Sequence, residues 1–502
     1  MSMNKTVLIN SNQAGSFSNA NKMIDIQIPQ GMNVDLSKSY VQLECEIELG
    51  ADSLGSVDGV EFVHNLCVKS VAFDDYNPCN SELFRNLWIR SAKKGNLVYT
   101  PEVGVLSKNL FEMTKTSSAK IATPDSLFQV RTFDSKMLMS PFTELHKTGT
   151  IPSRYRHAFL NIPISDLVKG GLESQVISTD TLGAVTFHFE LNNLNNFEVV
   201  KQLLTKDIDG ECNNMPTGGG STITLKYKYD SLELVPFFVG EKVIISATSN
   251  DPAVPSIAHT SVITGITYNQ ASEVVQITTT YTFPSLTGSY FYSDVFIEES
   301  TEEDQDYGTF KILTAQLATS LVQGSVDIPN QLNYATFTTF QESVDLQHYN
   351  RVIEVEPECV SLFIMFQNPS TTFTDANKLS NNVNVKSYRL RIDNQDVYDR
   401  DILVNNQSNN LYTHDPAYHE LLNRLFMNSG LPVKNFNCVA LARNELLLPN
   451  VFTVPENQIL ILGCPTPLTD KQKQVQINIE CEDSTLVHNL IMYKLCLRSL
   501  KL

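Results

Sequence analysis

His414 and His419 form the pattern in this sequence that comes nearest to a metal site. Two zinc ligands on one helix need a spacing of four residues to share a face. These histidines are five residues apart, and His414 precedes the predicted helix start at Asp415. No Glu-x-x-His motif or cysteine pair stands nearby to complete a ligand set. The pattern therefore predicts a helix start with solvent or subunit contacts, and no metal site.

Acidic residues offer two further possibilities for chemistry. Glu190, Glu354 and Glu480 are strand-associated acids, and glycoside hydrolysis would need paired carboxylates facing each other across a cleft. Residues 298–306 hold six carboxylates in nine positions, without the interleaved Asn and Gly of a calcium loop. Mutual repulsion favours a solvated loop there. Elsewhere the acids and histidines are spread thinly.

Motifs for phosphate binding and nucleophilic catalysis do not occur in the sequence. The Gly-rich stretch 213–221 lacks the Gly-Lys-Ser/Thr ending that cradles phosphate. A triad built from distant residues stays open, because triads are recognised by geometry rather than order. His64 is predicted to be a polar residue at a barrel corner. We predict no catalytic residue, no metal ligand and no cofactor.

The nine cysteines show no Cys-x-x-Cys pair, and several lie inside apolar strands. Cys45, Cys359 and Cys496 are examples. An odd number without a framework favours reduced, buried thiols.

Composition limits the range of partners. The chain has 502 residues, enough for two to four domains, and 37 Lys and Arg against 55 Asp and Glu give a net charge of −18. Because phosphate neutralisation needs the opposite sign, no sequence-specific nucleic-acid binding is predicted. The start of the sequence lacks the apolar region of a signal peptide, and no run approaches the roughly 20 apolar residues of a membrane span. An intracellular, soluble product is expected.

The elements that would position these residues follow the same order twice. Alternating apolar and polar residues predict a similar series of strands in each half of the chain. In the first half the strands are 23–29, 40–49, 68–75, 184–191 and 222–229. In the second half they are 334–340, 359–366, 388–394, 475–480 and 490–500. Two β-barrels in tandem are predicted.

Each half also carries one predicted helix, in the same connection. The first helix is predicted at residues 81–94, with Ser81 as its N-cap and Gly95 as the residue that stops it. Its apolar side chains at helical spacing are Leu83, Phe84, Leu87 and Trp88. Residues 415–427 begin with Asp and Pro and present one apolar face, formed by Leu421, Leu422, Leu425 and Phe426.

Four segments are predicted. Residues 1–22 are rich in Ser and Asn and bury too little apolar surface to order alone, so they read as a flexible N-terminal arm. Residues 23–236 form the first barrel and residues 327–502 the second. Residues 237–326 hold short Thr-rich strands and the acidic loop, and are predicted to be an inserted β module that projects as a turret.

Several stretches resemble the double jelly-roll major capsid proteins of double-stranded DNA viruses, of the virophage, polinton-like and nucleocytoplasmic large DNA virus lineage. Residues 40–47 and 60–73 are similar to that family's second and third strands around an Asn-containing loop. The segment 159–167 resembles its Ile-Pro-Leu-Ser-type segment, and 182–192 resembles its closing strand with a Glu-Leu ending.

The resemblance implies an all-β chain of two tandem eight-stranded jelly rolls with short helices in connections and an inserted β module. It further implies a structural, non-enzymatic capsid protein of the virion, assembled inside the host cell. Three chains would form a pseudo-hexagonal capsomer, since two similar barrels per chain give six lobes. Its implied partners are a homotrimer, neighbouring capsomers, penton and minor capsid proteins, and an inner membrane where one is present.

Two alternatives stay open at this point. One is a single jelly-roll capsid or spike protein with a receptor- or glycan-binding β module, which gives weight to the insert rather than to the duplication. The other is a carbohydrate-active β enzyme that uses Glu190, Glu354 and Glu480.

Overall fold

The structure is a computed structural model. It describes residues 4–13, 15–57, 60–63, 66–70, 80–107, 131–133, 136–138, 155–201, 212–214, 219–226, 237, 239, 242–250, 253, 256–269, 271–272, 274–286, 292–299, 306–322, 331–344, 347–367, 385–403, 406–408, 411–413, 416–431, 461–481 and 488–501. Predictions for residues 64, 68–75, 298–306, 414 and 415 fall wholly or partly outside these ranges.

The strands follow one another along the chain with the bounds given next. They are β1 Asn4–Asn10, β2 Met23–Ile28, β3 Asn33–Leu49, β4 Leu54–Val57, β5 Val60–Val63, β6 Leu66–Ser70, β7 Phe84–Ser91, β8 Gly95–Pro101, β9 Arg131–Phe133, β10 Lys136–Leu138, β11 Tyr155–Pro163, β12 Val176–Ser178, β13 Val185–Leu191, β14 Phe197–Lys201, β15 Cys212–Asn214, β16 Gly220–Leu225, β17 Lys242–Ser249, β18 Ile257–Asn269, β19 Val274–Phe283, β20 Tyr292–Glu299, β21 Gly308–Val322, β22 Gln331–Val344, β23 His348–Val355, β24 Cys359–Gln367, β25 Val385–Ile392, β26 Gln395–Asp396, β27 Ile402–Leu403, β28 Asn406–Ser408, β29 Leu411–Thr413, β30 Leu462–Pro465, β31 Lys473–Cys481 and β32 His488–Lys501.

Helices are short and lie in the connections. They include α1 Ile164–Leu167, α2 Thr179–Leu182 and α3 Pro416–Asn428, with 3-10 turns at Ala51–Ser53, Asn80–Leu83, Leu172–Ser174 and Leu194–Asn196. Residues 103–107 are also helical. Within the described ranges, none of the helices has the length and apolar character needed to cross a membrane.

Eight strands of the first part of the chain form two facing four-stranded sheets. Taken in chain order as strands B to I, they are β1, β2, β3, β7, β8, β11, β13 and β21. One sheet runs β1-β21-β3-β11, or B-I-D-G, with β12 also paired to β3. The other runs β2-β13-β7-β8, or C-H-E-F. This interleaved order is a jelly roll, in which alternate side chains of both sheets fill the core between them.

The second part of the chain repeats this order. Its strands B to I are β22, β23, β24, β25, β26, β30, β31 and β32. They give the sheets β22-β32-β24-β30 and β23-β31-β25-β26, again B-I-D-G and C-H-E-F. The chain is a double jelly roll. The predicted fold class is therefore confirmed, and the alternative of a single jelly roll is wrong.

The predicted second helix is confirmed as α3. Its predicted apolar face, Leu421, Leu422, Leu425 and Phe426, is buried against the second core. The helix ends at Asn428, and the turn that follows contains Gly430, whose φ of 71° favours glycine.

The first predicted helix, residues 81–94, is wrong, because most of this segment is strand β7. It pairs with β13 on one side and β8 on the other. The apparent helical spacing has a local cause. A β-bulge at Arg85 leaves Phe84 opposite Leu191 and Asn86 opposite Glu190, which breaks the two-residue alternation. Trp88 stacks on Tyr99 of β8, with ring centroids 5.2 Å apart.

The structure also differs from the predicted flexible arm at residues 1–22. Strand β1 is strand B of the first jelly roll and pairs with β21 in unbroken register from Asn4 to Asn10. Further along, Phe17 is 3% exposed and its amide donates to the Ile312 carbonyl, 2.9 Å away. The run Val7-Leu8-Ile9 was a weak strand signal among polar neighbours.

The inserted module lies within the first jelly roll rather than between the two. Strands β15, β16, β19, β18, β17 and β20 form a six-stranded sheet in that order, with its own apolar core. The predicted closing strand 222–229 contributes β16 to this sheet. The chain then returns at β21, which is strand I of the first jelly roll. The module therefore occupies the connection between strands H and I, and the predicted bounds 237–326 differ from it at both ends.

Two alternative deletions that overlap in sequence distinguish residues of the inserted module from residues of the first jelly roll. Replacing residues 212–299 with a short Gly-Ser linker removes only the module's sheet, so we expect soluble protein with cooperative unfolding. Replacing residues 237–323 also removes β21, the strand between β1 and β3, so we expect insoluble or molten protein. Solubility and urea unfolding followed by fluorescence check both. Equal solubility of the two deletions would contradict the assignment of β21 to the jelly roll.

Phe17→Ala tests whether the N-terminal segment is part of the core. Removing a buried Phe ring costs about 3–5 kcal/mol of unfolding free energy. Phe159→Ala in the same jelly roll is the matched control, because that ring is 62% exposed and its loss should change the free energy by under roughly 0.5 kcal/mol. Urea denaturation measures both, and equal effects would mean that residues 11–22 do not cover the core.

Candidate functional site at the junction of the two jelly rolls

The three acids considered for catalysis do not come together. Glu190 lies in the first jelly roll, where its carboxylate accepts a 2.6 Å hydrogen bond from Asn86. Glu480 lies in the second, where Lys386 at 3.0 Å lowers the pKa of its carboxyl group. Glu354 is on the strand next to Glu480, but the register places it six residues from Glu480's partner His348. That separation is about 20 Å at the rise of a strand.

Metal binding finds no support among the described residues, which contain no group of three His, Cys, Asp or Glu side chains suited to an ion. His64, His414 and the side chain of His419 lie outside the residues that the structure describes. Of the acidic run, Glu298 and Glu299 belong to strand β20 and pair with β17. Asp306 is also described, and its carboxylate accepts a hydrogen bond from the Ala51 amide. It therefore holds a turn of the first jelly roll.

The residues that the fold does bring together lie where the two jelly rolls meet. Strand β22 of the second jelly roll packs against β8 of the first, and each is the outermost strand of its sheet. The junction thus covers one edge of each sandwich, which removes two sites for unwanted strand pairing. Sequence reasoning missed this surface, because no local pattern marks a contact between strands more than 200 residues apart.

Side chains of the second jelly roll complete the core of the first. Leu332 and Tyr334 of β22 are buried in the cluster formed by the first jelly roll. The Tyr334 hydroxyl donates to the Leu97 carbonyl, 3.0 Å away. Burial raises the pKa of the Tyr334 phenol, so the hydroxyl stays protonated as a donor. In the reverse direction, Leu106 of the first jelly roll is buried in the second core.

A second tyrosine makes the matching contact from β32. Tyr493 is fully buried, and its hydroxyl donates to the Glu102 carbonyl at 2.9 Å. Burial raises the pKa of this phenol well above its usual range. Glu102 has a φ of 48°, which is uncommon for a residue with a side chain. Two hydrogen bonds hold the Glu102 backbone in this conformation. Its carbonyl accepts from the Tyr493 hydroxyl, and its amide donates to Asn86 Oδ1.

Backbone contact between the jelly rolls is closest at Gly170. The Ala335 amide donates to the Gly170 carbonyl at 2.6 Å, and Gln175 Nε2 donates to the Asn333 carbonyl at 2.8 Å. Gly170 has a φ of 122°, and a Cβ there would overlap the Ala335 carbonyl oxygen. A glycine is needed here for both backbone conformation and space.

A cleft of about 820 Å³ opens beside this contact. Gly170 and residues of the second jelly roll line it, among them Tyr334, Glu358, Ser429 and Arg498. Among the described residues that line the cleft there is no histidine or cysteine, and Glu358 is the one carboxylate. These described residues include no nucleophile paired with a base. What the junction does is hold two sandwiches in a fixed relation.

Comparisons with known proteins give remote similarities over nearly the whole chain. No protein-family model and no curated protein matches the sequence. Among solved structures, the mavirus major capsid protein is 11% identical, with a TM-score of 0.41, covering 98% of this chain and 86% of that one. The Faustovirus major capsid protein is 7% identical, with a TM-score of 0.44, covering 100% and 91%. A chain of the Sputnik virophage structure is 12% identical, with a TM-score of 0.39, covering 99% and 85%.

Gly170→Ala and Gly171→Ala form a matched pair for the junction. Both glycines have a positive φ, but a Cβ at Gly171 meets nothing within 4 Å. Gly171→Ala should cost about 1 kcal/mol through backbone strain alone. Gly170→Ala should cost several times more, or separate the jelly rolls, because it also breaks the contact with Ala335. Urea unfolding and small-angle scattering measure stability and extension, and indistinguishable variants would rule out a close-packed junction.

Proposed function

We propose that the chain is a structural major capsid protein, and that three copies form a pseudo-hexagonal capsomer of an icosahedral virus shell. The observation that carries the proposal is the twofold occurrence of one strand order, B-I-D-G facing C-H-E-F, in a single chain with a packed junction. Three chains then present six similar lobes, which fill a hexagonal position while the true symmetry is threefold.

The junction supports this proposal because shell building needs lobes at fixed angles. Lobes on a flexible tether would give capsomers of variable outline. Here buried side chains cross the junction in both directions, namely Leu332 and Tyr334 into the first core and Leu106 into the second. The hydroxyls of Tyr334 and Tyr493 also donate hydrogen bonds across the junction. The two lobes therefore move as one body.

The acidic character of the chain fits a shell that stays soluble. A net charge of −18 keeps assembled particles apart through repulsion and disfavours direct contact with packaged nucleic acid. The proposed partners are further copies of this chain, neighbouring capsomers, penton and minor capsid proteins and, where one exists, an inner membrane. We infer no catalytic role, since the candidate acids are far apart and the junction cleft lacks a catalytic set. The proposed location is the virion capsid.

The module between strands H and I is proposed to project from the capsomer as a turret. Strand β14, which leads out of the first jelly roll, packs beside β21, which leads back in, and the rings of Phe197 and Phe310 are 6.3 Å apart. Exit and return thus share one stem. Because the module has its own core, it can protrude without disturbing either sandwich.

Light scattering after size-exclusion chromatography tests the proposed trimer. We expect a mass about three times the chain's 56.2 kDa, and six lobes in negative-stain class averages. Gly170→Ala should reduce the trimer fraction, whereas Gly171→Ala should leave it unchanged, because only the first variant alters the angle between lobes. A strictly monomeric protein at micromolar concentration, or particles with three lobes, would contradict the proposal.

A further inference from the structure

Two buried thiols face each other in the second jelly roll. Cys359 begins strand β24, and the register of β24 with β32 places it opposite Cys496, beside a β-bulge between Cys359 and Ser361. Both side chains lie in the second core and are almost fully buried, and both are free thiols. Side chains directly opposite each other on antiparallel strands lie on the same face of the sheet, with Cβ atoms about 4.5–5.5 Å apart.

A backbone hydrogen bond beside Cys359 and Cys496 indicates how the two residues are paired. The Leu497 amide, one residue after Cys496, donates to the Glu358 carbonyl, one residue before Cys359, at 3.0 Å. A bond between the residues on this side of the pair is the pattern of a non-hydrogen-bonded pair, in which Cα atoms are typically about 4.5 Å apart. Disulfides accept Cα separations of about 4.4–6.8 Å. The typical spacing of such a pair is therefore one that a disulfide can bridge.

The surroundings of the two thiols shift their pKa values in opposite directions. The neighbouring Cys359 thiol lowers the pKa of Cys496, and burial opposes this shift. The Thr338 hydroxyl, 3.8 Å from Cys496 Sγ, also lowers it, whereas the nearby Glu356 carboxylate raises it. The same contact with Cys496, together with burial, raises the pKa of Cys359. The Cys359 thiol itself donates to the Ser361 carbonyl, 3.4 Å away. The Lys473 ammonium lies beside the pair, since its Nζ donates to the Cys359 carbonyl at 2.7 Å. A positive charge at this position favours a thiolate, which is the reactive form of cysteine.

We propose that Cys359 and Cys496 form a modification site, at which a cross-strand disulfide is made by exchange with a small oxidised disulfide. The Cys496 thiolate attacks one sulfur of oxidised glutathione, and its S–S bond breaks to release one glutathione thiolate. The released glutathione thiolate takes the proton of the Cys359 thiol. Cys359 Sγ then attacks Cys496 Sγ, breaks the mixed disulfide and releases the second glutathione. The protein dithiol loses two electrons and two protons, and the reagent becomes two molecules of reduced glutathione.

The bond would join strand D to strand I, the last strand of the chain. The enclosed loop contains α3 and strands β25 to β31, so the bond restricts a long stretch of the unfolded chain. Cys359 directly follows the connection from β23, so opening one end of the sheet exposes the pair to the reagent. This inference does not depend on the proposed capsid role, because it concerns only the second jelly roll.

Thiol exchange on the full-length protein tests the site. The reduced protein is incubated with oxidised glutathione in urea below the unfolding midpoint, remaining thiols are alkylated, and peptides are mapped by mass spectrometry without reductant. We expect a Cys359–Cys496 cross-linked peptide, an intact mass lower by two hydrogens, and a Tm higher by roughly 5–10 °C that dithiothreitol reverses.

Variants make the assignment specific. Cys359→Ala and Cys496→Ala should each abolish the cross-linked peptide and the Tm increase. Cys464→Ala is the matched control, because that thiol is also buried in the second core but lies on β30, and it should keep both. Three results would overturn the proposal. They are a bond between other cysteines, a lasting glutathione adduct on Cys496, or no cross-link under conditions in which both thiols become alkylated.

Discussion

The first jelly roll depends on the return of strand β21 to a position between β1 and β3. Its pairing with β3 extends from Gly308 to Leu321, and its other edge pairs with β1. Without it, the B-I-D-G sheet would be two separated pieces, and the core side chains on β21 would leave the gap between the sheets unfilled. The chain reaches this position only after completing the whole inserted module. The module must therefore end where it began, beside β14, and this constraint fixes its attachment at one stem.

Strand β21 also determines where the second jelly roll begins. The next strand, β22, starts nine residues after β21 ends, and it packs against β8 of the first sandwich. The short connection keeps the two sandwiches adjacent, and the interlocked side chains then set their angle. Buried apolar contact does most of this work, because hydrophobic burial scales with area, whereas each tyrosine hydrogen bond contributes only about 1 kcal/mol. The hydrogen bonds and the glycine at position 170 make the arrangement specific.

The sequence predicted the fold class and several elements but not the assignment of strands to sheets. Strands β3, β13 and β31 were predicted because their apolar positions alternate without interruption, and α3 because its cap and apolar face agree. Strand β7 was missed because the bulge at Arg85 gave it a helical spacing. Strands β1 and β21 were not assigned to the first jelly roll, because their partners are about 300 residues away and no local pattern reports such pairing. The junction was missed for the same reason, and so no candidate site residue was proposed there.

The two jelly rolls share their strand order but not their side-chain chemistry. In the second, Lys473 at the start of strand H is fully buried, and its Nζ donates to the carbonyls of Pro357, Cys359 and Pro467 at 3.2, 2.7 and 2.6 Å. A buried ammonium is tolerated only with such partners, and here it ties residues 357–359 to the connection between β30 and β31 at one end of the sandwich. In the first jelly roll, strand H begins with the apolar Val185. The two jelly rolls therefore share a strand order but begin strand H with side chains of different chemistry. Six lobes of the proposed capsomer would be alike in outline and would alternate in chemistry, so threefold rather than sixfold symmetry is the highest that this chain permits.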